Sequence, residues 1–168
     1  HDSLTGLLTL TYLQDELNLD LADLDEDKNL VLCAIGIDDF KTINDNFGHQ
    51  MGDEVLKSVA ARLQNTLNDK VDVARFSDEF FLYFKDTNSQ QQIIDFAKEI
   101  STKISQPYGI GGEVVYITAS LGMAIYPDAG TTSEMLIKNA SLAMHAVKNR
   151  SGNDIQLYST DMEDELSE

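Results

Sequence analysis

Residues 30–37 read Leu-Val-Leu-Cys-Ala-Ile-Gly-Ile, eight positions without one polar side chain. A strand with one wet face alternates apolar and polar residues. A run this short and unbroken instead reads as a strand buried in the middle of a sheet. Everything else in the chain has to be arranged to cover it.

The other segments supply the cover. Residues 9–24 carry Leu10, Leu13, Leu17 and Leu21 at helical spacing, and residues 51–67 carry Val55, Val59, Leu63 and Leu67 in the same way. A charged loop, 23–29, separates the first helix from the buried strand. Residues 38–47 predict a short helix stopped by Gly48. Two apolar runs, 71–76 and 80–84, flank Ser77, Asp78 and Glu79, which predicts a β-hairpin with a polar tip. A helix over 89–104 follows, with Ile93, Phe96, Ala97 and Ile100 inward. A strand over 113–126 comes next, after a hairpin at 109–112, then a helix over 133–148 and a short strand over 155–158. Helices on one face of a largely antiparallel central sheet make an α+β, ferredoxin-like fold.

At 168 residues the chain holds one domain with a core, taken as 1–160, and not two. With 29 acidic against 12 basic residues the net charge is −17, which argues against nucleic acid and anionic membranes as partners. Cys33 is the only cysteine, so a disulfide framework and a cysteine-rich zinc site are excluded. No apolar run reaches the roughly 18–20 residues that span a bilayer, and no signal peptide opens the chain. The expectation is a cytoplasmic module of a longer protein, with residues 161–168 beginning an acidic linker.

Carboxylates gather at two predicted points: Asp38 and Asp39 at the end of the buried strand, Asp78 and Glu79 at the hairpin tip. If the two strands are neighbours, these groups lie close enough to hold divalent metals, the apparatus of phosphoryl and nucleotidyl transfer. They also read as ordinary strand-end and turn carboxylates of an acidic protein. Lys41 suits a phosphate, and Asn44 and Asp53 suit a base edge; each also reads as a surface or capping residue. His49 reads as a turn histidine. Residues 109–112 lack the Lys and Ser/Thr of a P-loop.

Four stretches carry a family resemblance. Asp2-Ser3-Leu4-Thr5-Gly6-Leu7 looks like an opening D-x-L-T-G-L. Residues 37–53 look like a D-x-D-x-F-K-x-x-N-D…G-H…G-D block. Arg75-Phe76-Ser77-Asp78-Glu79-Phe80 looks like a signature hairpin. Ala119-Ser120-Leu121-Gly122 through Tyr126-Pro127, with residues 140–148, look like a last strand and helix. Together they resemble the GGDEF domain, the diguanylate cyclase domain of cyclic di-GMP signalling. The resemblance implies a nucleotidyl-cyclase-like central sheet flanked by helices. It implies that two GTP-loaded domains face each other as a dimer, each 3′-hydroxyl attacking the other's α-phosphate, with two divalent metals (Mg²⁺ or Mn²⁺) steadying the charge. By the same resemblance Asp78 and Glu79 are the catalytic pair, with Asp78 also a metal ligand. Asn44 and Asp53 read guanine, and Lys41 and Lys148 meet phosphate.

The departures from the pattern fall on those positions. Gly36 stands where the first D-x-D aspartate would be, so one metal-ligand carboxylate is absent; Asp38, on the same strand face, is only a weak substitute. The signature lacks its glycines and is one residue short. Either Phe76 intrudes where the nucleotide lies, or the turn changes shape and re-aims Asp78. Ser151-Gly152-Asn153 replaces G-R-N, Ser141 replaces the aspartate of A-D, and Thr9-Leu10 replaces an N-R pair. The inhibitory R-x-x-D is missing from residues 68–72. The expectation is a catalytically impaired GGDEF domain that senses GTP or a partner, next to an EAL-type phosphodiesterase domain. The alternatives are an active diguanylate cyclase using Asp38 and Asp78, and a nucleotide-free dimerisation scaffold.

Overall fold

The computed structural model describes residues 1–23, 29–67, 71–87 and 90–159. The predicted linker 161–168, most of the charged loop 23–29 and residues 68–70 of the missing R-x-x-D lie outside them.

The elements run β1 (Leu8–Thr9), α1 (Leu10–Ala22), β2 (Asn29–Ile37), α2 (Phe40–Phe47), α3 (His49–Thr66), β3 (Val71–Phe76), β4 (Glu79–Thr87), α4 (Gln90–Ile104), β5 (Tyr108–Ile110), β6 (Glu113–Val115), β7 (Ala119–Ile125), α5 (Ser133–Arg150) and β8 (Ile155–Leu157). Six strands form one sheet in the order β1-β3-β4-β2-β7-β8. The three inner pairings are antiparallel, and the two edge strands β1 and β8 add in parallel. The mostly antiparallel α+β sheet expected from the sequence is therefore present, with β2 at its centre.

One expectation is corrected. Helices cover both faces of the sheet. Val31, Cys33, Ile35 and Ile37 of β2 meet Val55, Val59 and Leu63 of α3 and Ile93, Ala97 and Ile100 of α4. Leu30, Leu32 and Ala34 point the other way, onto Leu13 and Leu17 of α1 and Leu136, Ala140 and Met144 of α5. Two covered faces are the reason the run 30–37 does not alternate. Alternation places Gly36 on the α5 face. Burial also pushes the Cys33 thiol up to about 12, which leaves it inert as a nucleophile.

A second correction concerns residues 113–126. They form two strands: β6 pairs only with β5, in a small hairpin of its own, and β7 pairs with β2. Residues 116–118 carry the chain between sheets, with Tyr116 exposed and Ile117 turned inward. The first helix starts one residue later than expected, because the Thr9 hydroxyl caps it by accepting from the Tyr12 amide. The two-residue β1 carries no periodic signal in the sequence.

Candidate functional site

The central strand ends at Ile37, and a turn through Asp38 and Asp39 leads into α2 at Phe40. Asp39 takes φ 58°. Gly48 closes α2, and α3 follows at once. The two helices meet closely because residue 52 has no side chain: a Cβ there would stand 1.8 Å from Asn44 Oδ1. Asn44 is thus laid against the first turns of α3, beside Asp53. Lys41, Asn44, Asp53, Arg75, Ser77 and Asp78 line a cleft of about 330 Å³, with Phe40 and Leu56 as its apolar part. Residues from three separate sequence stretches converge there. A larger hollow of about 670 Å³ between α3, α4 and β5 is a different matter. Its Arg62 is committed to the carbonyls of Lys103, Gln106 and Pro107 and stacks on the Tyr108 ring.

The signature hairpin closes in a two-residue turn. Phe76 pairs with Glu79, and Ser77 and Asp78 form the loop. Ser77 takes φ 59°, a left-handed conformation that glycine adopts without cost and other residues rarely adopt. Arg75 holds this turn. Its Nη1 donates to the Ser77 carbonyl at 2.7 Å, while Nε and Nη2 donate to the two Asp2 oxygens at 2.9 and 3.1 Å. Asp2 also accepts from the Thr5 amide and hydroxyl. Burial raises the Asp2 carboxyl, but the bonds from Arg75 and Thr5 outweigh it and hold the group below its usual value. Phe76 is 60% exposed and does not line the cleft. The shortened signature is therefore taken up in the turn, and Asp78 is the acid that faces the cleft.

Asp78 and Glu79 do not share the tip, contrary to the sequence reading. Glu79 opens β4 opposite Gly36. Its Oε1 lies 3.0 Å from His145 Nε2 and accepts from Ser141 Oγ at 3.4 Å, both on α5. Asp38 is equally committed. Oδ1 accepts from Ser120 Oγ at 2.5 Å, and Oδ2 accepts from Thr118 Oγ1 at 2.6 Å and the Asn153 amide at 2.8 Å. These bonds tie the strand end to β7 and to the turn after α5. At Gly36 an added Cβ would meet Lys148 Cε at 2.5 Å, Met144 Sδ at 2.6 Å and Lys148 Nζ at 2.8 Å. Lys148 Nζ donates to the Ile37 carbonyl at 3.2 Å. Among the described residues, no group of three His, Cys, Asp or Glu side chains comes together to hold a metal. The side chains at the strand end therefore do not fit a protein-held Mg²⁺: residue 36 offers none, Asp38 already accepts three hydrogen bonds, and the Lys148 ammonium fills the space.

The structure thus gathers Lys41, Asn44, Asp53 and Asp78 in one cleft and puts Lys148, Glu79 and Asp38 on the other side of the strand end. Sequence reasoning missed His145 and the Asp2–Arg75 fork. Both depend on elements far apart in the chain, and no local spacing signals them.

A family model described as diguanylate cyclase, GGDEF domain, matches residues 1–154. The chain is 34% identical over 160 residues to the cyclic di-GMP phosphodiesterase NbdA of Pseudomonas aeruginosa, covering 95% of the chain and 20% of that protein. It is 31% identical over 163 residues to the bifunctional diguanylate cyclase/cyclic di-GMP phosphodiesterase MucR of the same organism, covering 96% of the chain and 24% of that protein. The chain therefore spans at most about a quarter of these relatives. The solved GGDEF domain of TpbB (YfiN) from Pseudomonas aeruginosa superposes with a TM-score of 0.94 at 30% identity, covering 100% of this chain and 99% of that one. No helix among the described residues is long and apolar enough to cross a membrane.

Proposed function

We propose that this chain, which belongs to the diguanylate cyclase GGDEF family, acts in cyclic di-GMP signalling as a guanine-nucleotide-binding regulatory module with impaired cyclase chemistry. The observation that carries this reading is the division of the site. Lys41, Asn44 and Asp53 converge on an open cleft, while the acids at the strand end are absent or spent on internal bonds.

The two parts do different work. An amide and a carboxylate side by side match the edge of guanine, which offers N1–H and N2–H donors beside the O6 acceptor. An ammonium at the start of α2 suits phosphate. Binding is thus supported by residues that are in place. Cyclisation asks for more, since charge develops on the attacked α-phosphate and a bound divalent ion stabilises it by several kcal/mol. A carboxylate at position 36 that would hold a divalent ion for that step is absent. An adjacent EAL-type phosphodiesterase domain is the partner that nucleotide occupancy would bias, and this requires GTP to bind two states of the pair with different affinity. The module works in the cytoplasm, where GTP is supplied.

Calorimetric titration with GTP and Mg²⁺, with ATP as the control, tests the reading. GTP-selective binding with no cyclic di-GMP product is the expected result. Product formation at an ordinary cyclase rate would show the chemistry to be intact. Absence of binding at millimolar GTP would turn the reading to a dimerisation scaffold, which the charge of −17 favours by repelling nucleotide.

A further inference from the structure

The geometry around Gly36 points to an internal substitute for a metal ion. We propose that the Lys148 ammonium stands where a side-chain carboxylate at residue 36 would hold a divalent cation, so that guanine nucleotide binds here without any protein-held metal. The inference rests on the nucleotide reading above and adds that no protein-held metal takes part in binding.

Lys148 lies in the last turn of α5, where the helix dipole favours a cation. Its side chain runs over the missing side chain of Gly36, with Nζ only 2.8 Å from where a Cβ would be. The ammonium donates to the Ile37 carbonyl, the last of β2. Phe40 and Lys41, which line the cleft, follow within four residues. A phosphate chain that reached from the cleft to this strand end would meet the Lys148 ammonium. The neighbouring acids do not compete for it, because Asp38 is held by Thr118, Ser120 and Asn153, and Glu79 by His145 and Ser141. A divalent ion placed at residue 36 would face an ammonium at contact distance and no side-chain ligand from that residue. In a chain of net charge −17, a local fixed cation is what allows a polyphosphate to approach.

The test is GTP titration of the chain in Mg²⁺ and again in EDTA. Dissociation constants within about threefold of each other are expected. Binding more than tenfold weaker in EDTA overturns the inference and leaves the guanine cleft standing. No binding under either condition removes the nucleotide reading and the inference with it. Lys148→Met is expected to weaken GTP at least tenfold in both buffers; an unchanged affinity overturns the role given to Lys148. The nearest atoms to a Cβ at Gly36→Asp are the side-chain ends of Lys148 and Met144, which can shift to admit it. The new carboxylate would neutralise the ammonium and is expected to make GTP binding depend on Mg²⁺ by tenfold or more, and equal affinity in both buffers counts against the proposal.

Discussion

The two sides of the β2 end were built from the same resource, polar side chains at an element terminus, and they have been used in opposite ways. On the α2–α3 side, Lys41, Asn44 and Asp53 point into an open cleft. On the α5 side, Asp38 and Glu79 are bonded to the protein itself, and the gap at Gly36 is filled by Lys148. Polar groups left facing solvent in a concave site are available to a ligand. Polar groups already bonded to neighbouring side chains and backbone are part of the scaffold. The contrast separates recognition from chemistry within one site, and it can be broken experimentally from either side.

The largest effect is expected where the contrast is purely architectural. Gly122 of β7 also faces α5, but there an added Cβ would stand 2.2 Å from the Ala140 carbonyl oxygen and the Met144 amide nitrogen. Helix backbone cannot move aside as a lysine tip can. Gly122→Val is expected to cost about 3 kcal/mol or more in urea denaturation, and Gly36→Ala less than about 1 kcal/mol. Equal costs would mean that the two glycines do the same job and that Gly36 is a packing residue. On the recognition side, Asp53→Ala removes a charged acceptor from the cleft. Losing a hydrogen bond to a charged group costs about 1.5–3 kcal/mol, or roughly 10–150-fold in GTP affinity. The same change leaves thermal stability nearly untouched, because Asp53 is exposed on α3.

These expectations bear on what the sequence could reveal. The run 30–37 announced the central strand, and the Ser77–Asp78 region announced the hairpin, because both signals are local and strong. That helices lie on both faces was implicit in the absence of alternation in that run, yet the run alone names no partners; these come from α1, α3, α4 and α5, distant in the chain. The break at residues 116–118 was hidden because Val114, Val115, Ile117 and Ala119 look like one continuous strand. That Asn44 and Asp53 belong to one pocket was legible only through the resemblance to the GGDEF block, because each by itself reads as a surface or capping residue. The commitment of Asp38 was not, since its three donors come from residues 118, 120 and 153.

That commitment makes Asp38 the next lever. If it is scaffold, Asp38→Ala orphans the Thr118 and Ser120 hydroxyls and the Asn153 amide and loosens β7 from the turn after α5. A loss of about 1–3 kcal/mol is expected, read as a lower urea midpoint, with GTP affinity changed less than threefold. A variant as stable as the parent that no longer binds GTP would instead place Asp38 with the ligand, and the division of the site would fail.

The smallest effect concerns the fork that holds the hairpin turn. Asp2 has its carboxyl depressed below the ordinary value of 3.8, since the bonds from Arg75 and Thr5 outweigh burial. A carboxyl depressed on folding contributes stability that is complete above its unfolded value, near 4, and is lost as pH falls through the lower folded value. Stability should therefore decline through this group as pH falls below about 4. Asp2→Asn keeps the shape and removes the titration, so the difference in urea midpoint between parent and variant should shrink as pH falls across that range. The difference at pH 7 is expected to be about 1 kcal/mol. Because Arg75 also carries the Ser77 carbonyl, the variant should bind GTP a fewfold more weakly at pH 7 by letting the turn that presents Asp78 relax. A midpoint difference that stays constant from pH 7 to pH 3 would show that the fork acts by shape alone, and the charge on Asp2 would have no part in holding the cleft open.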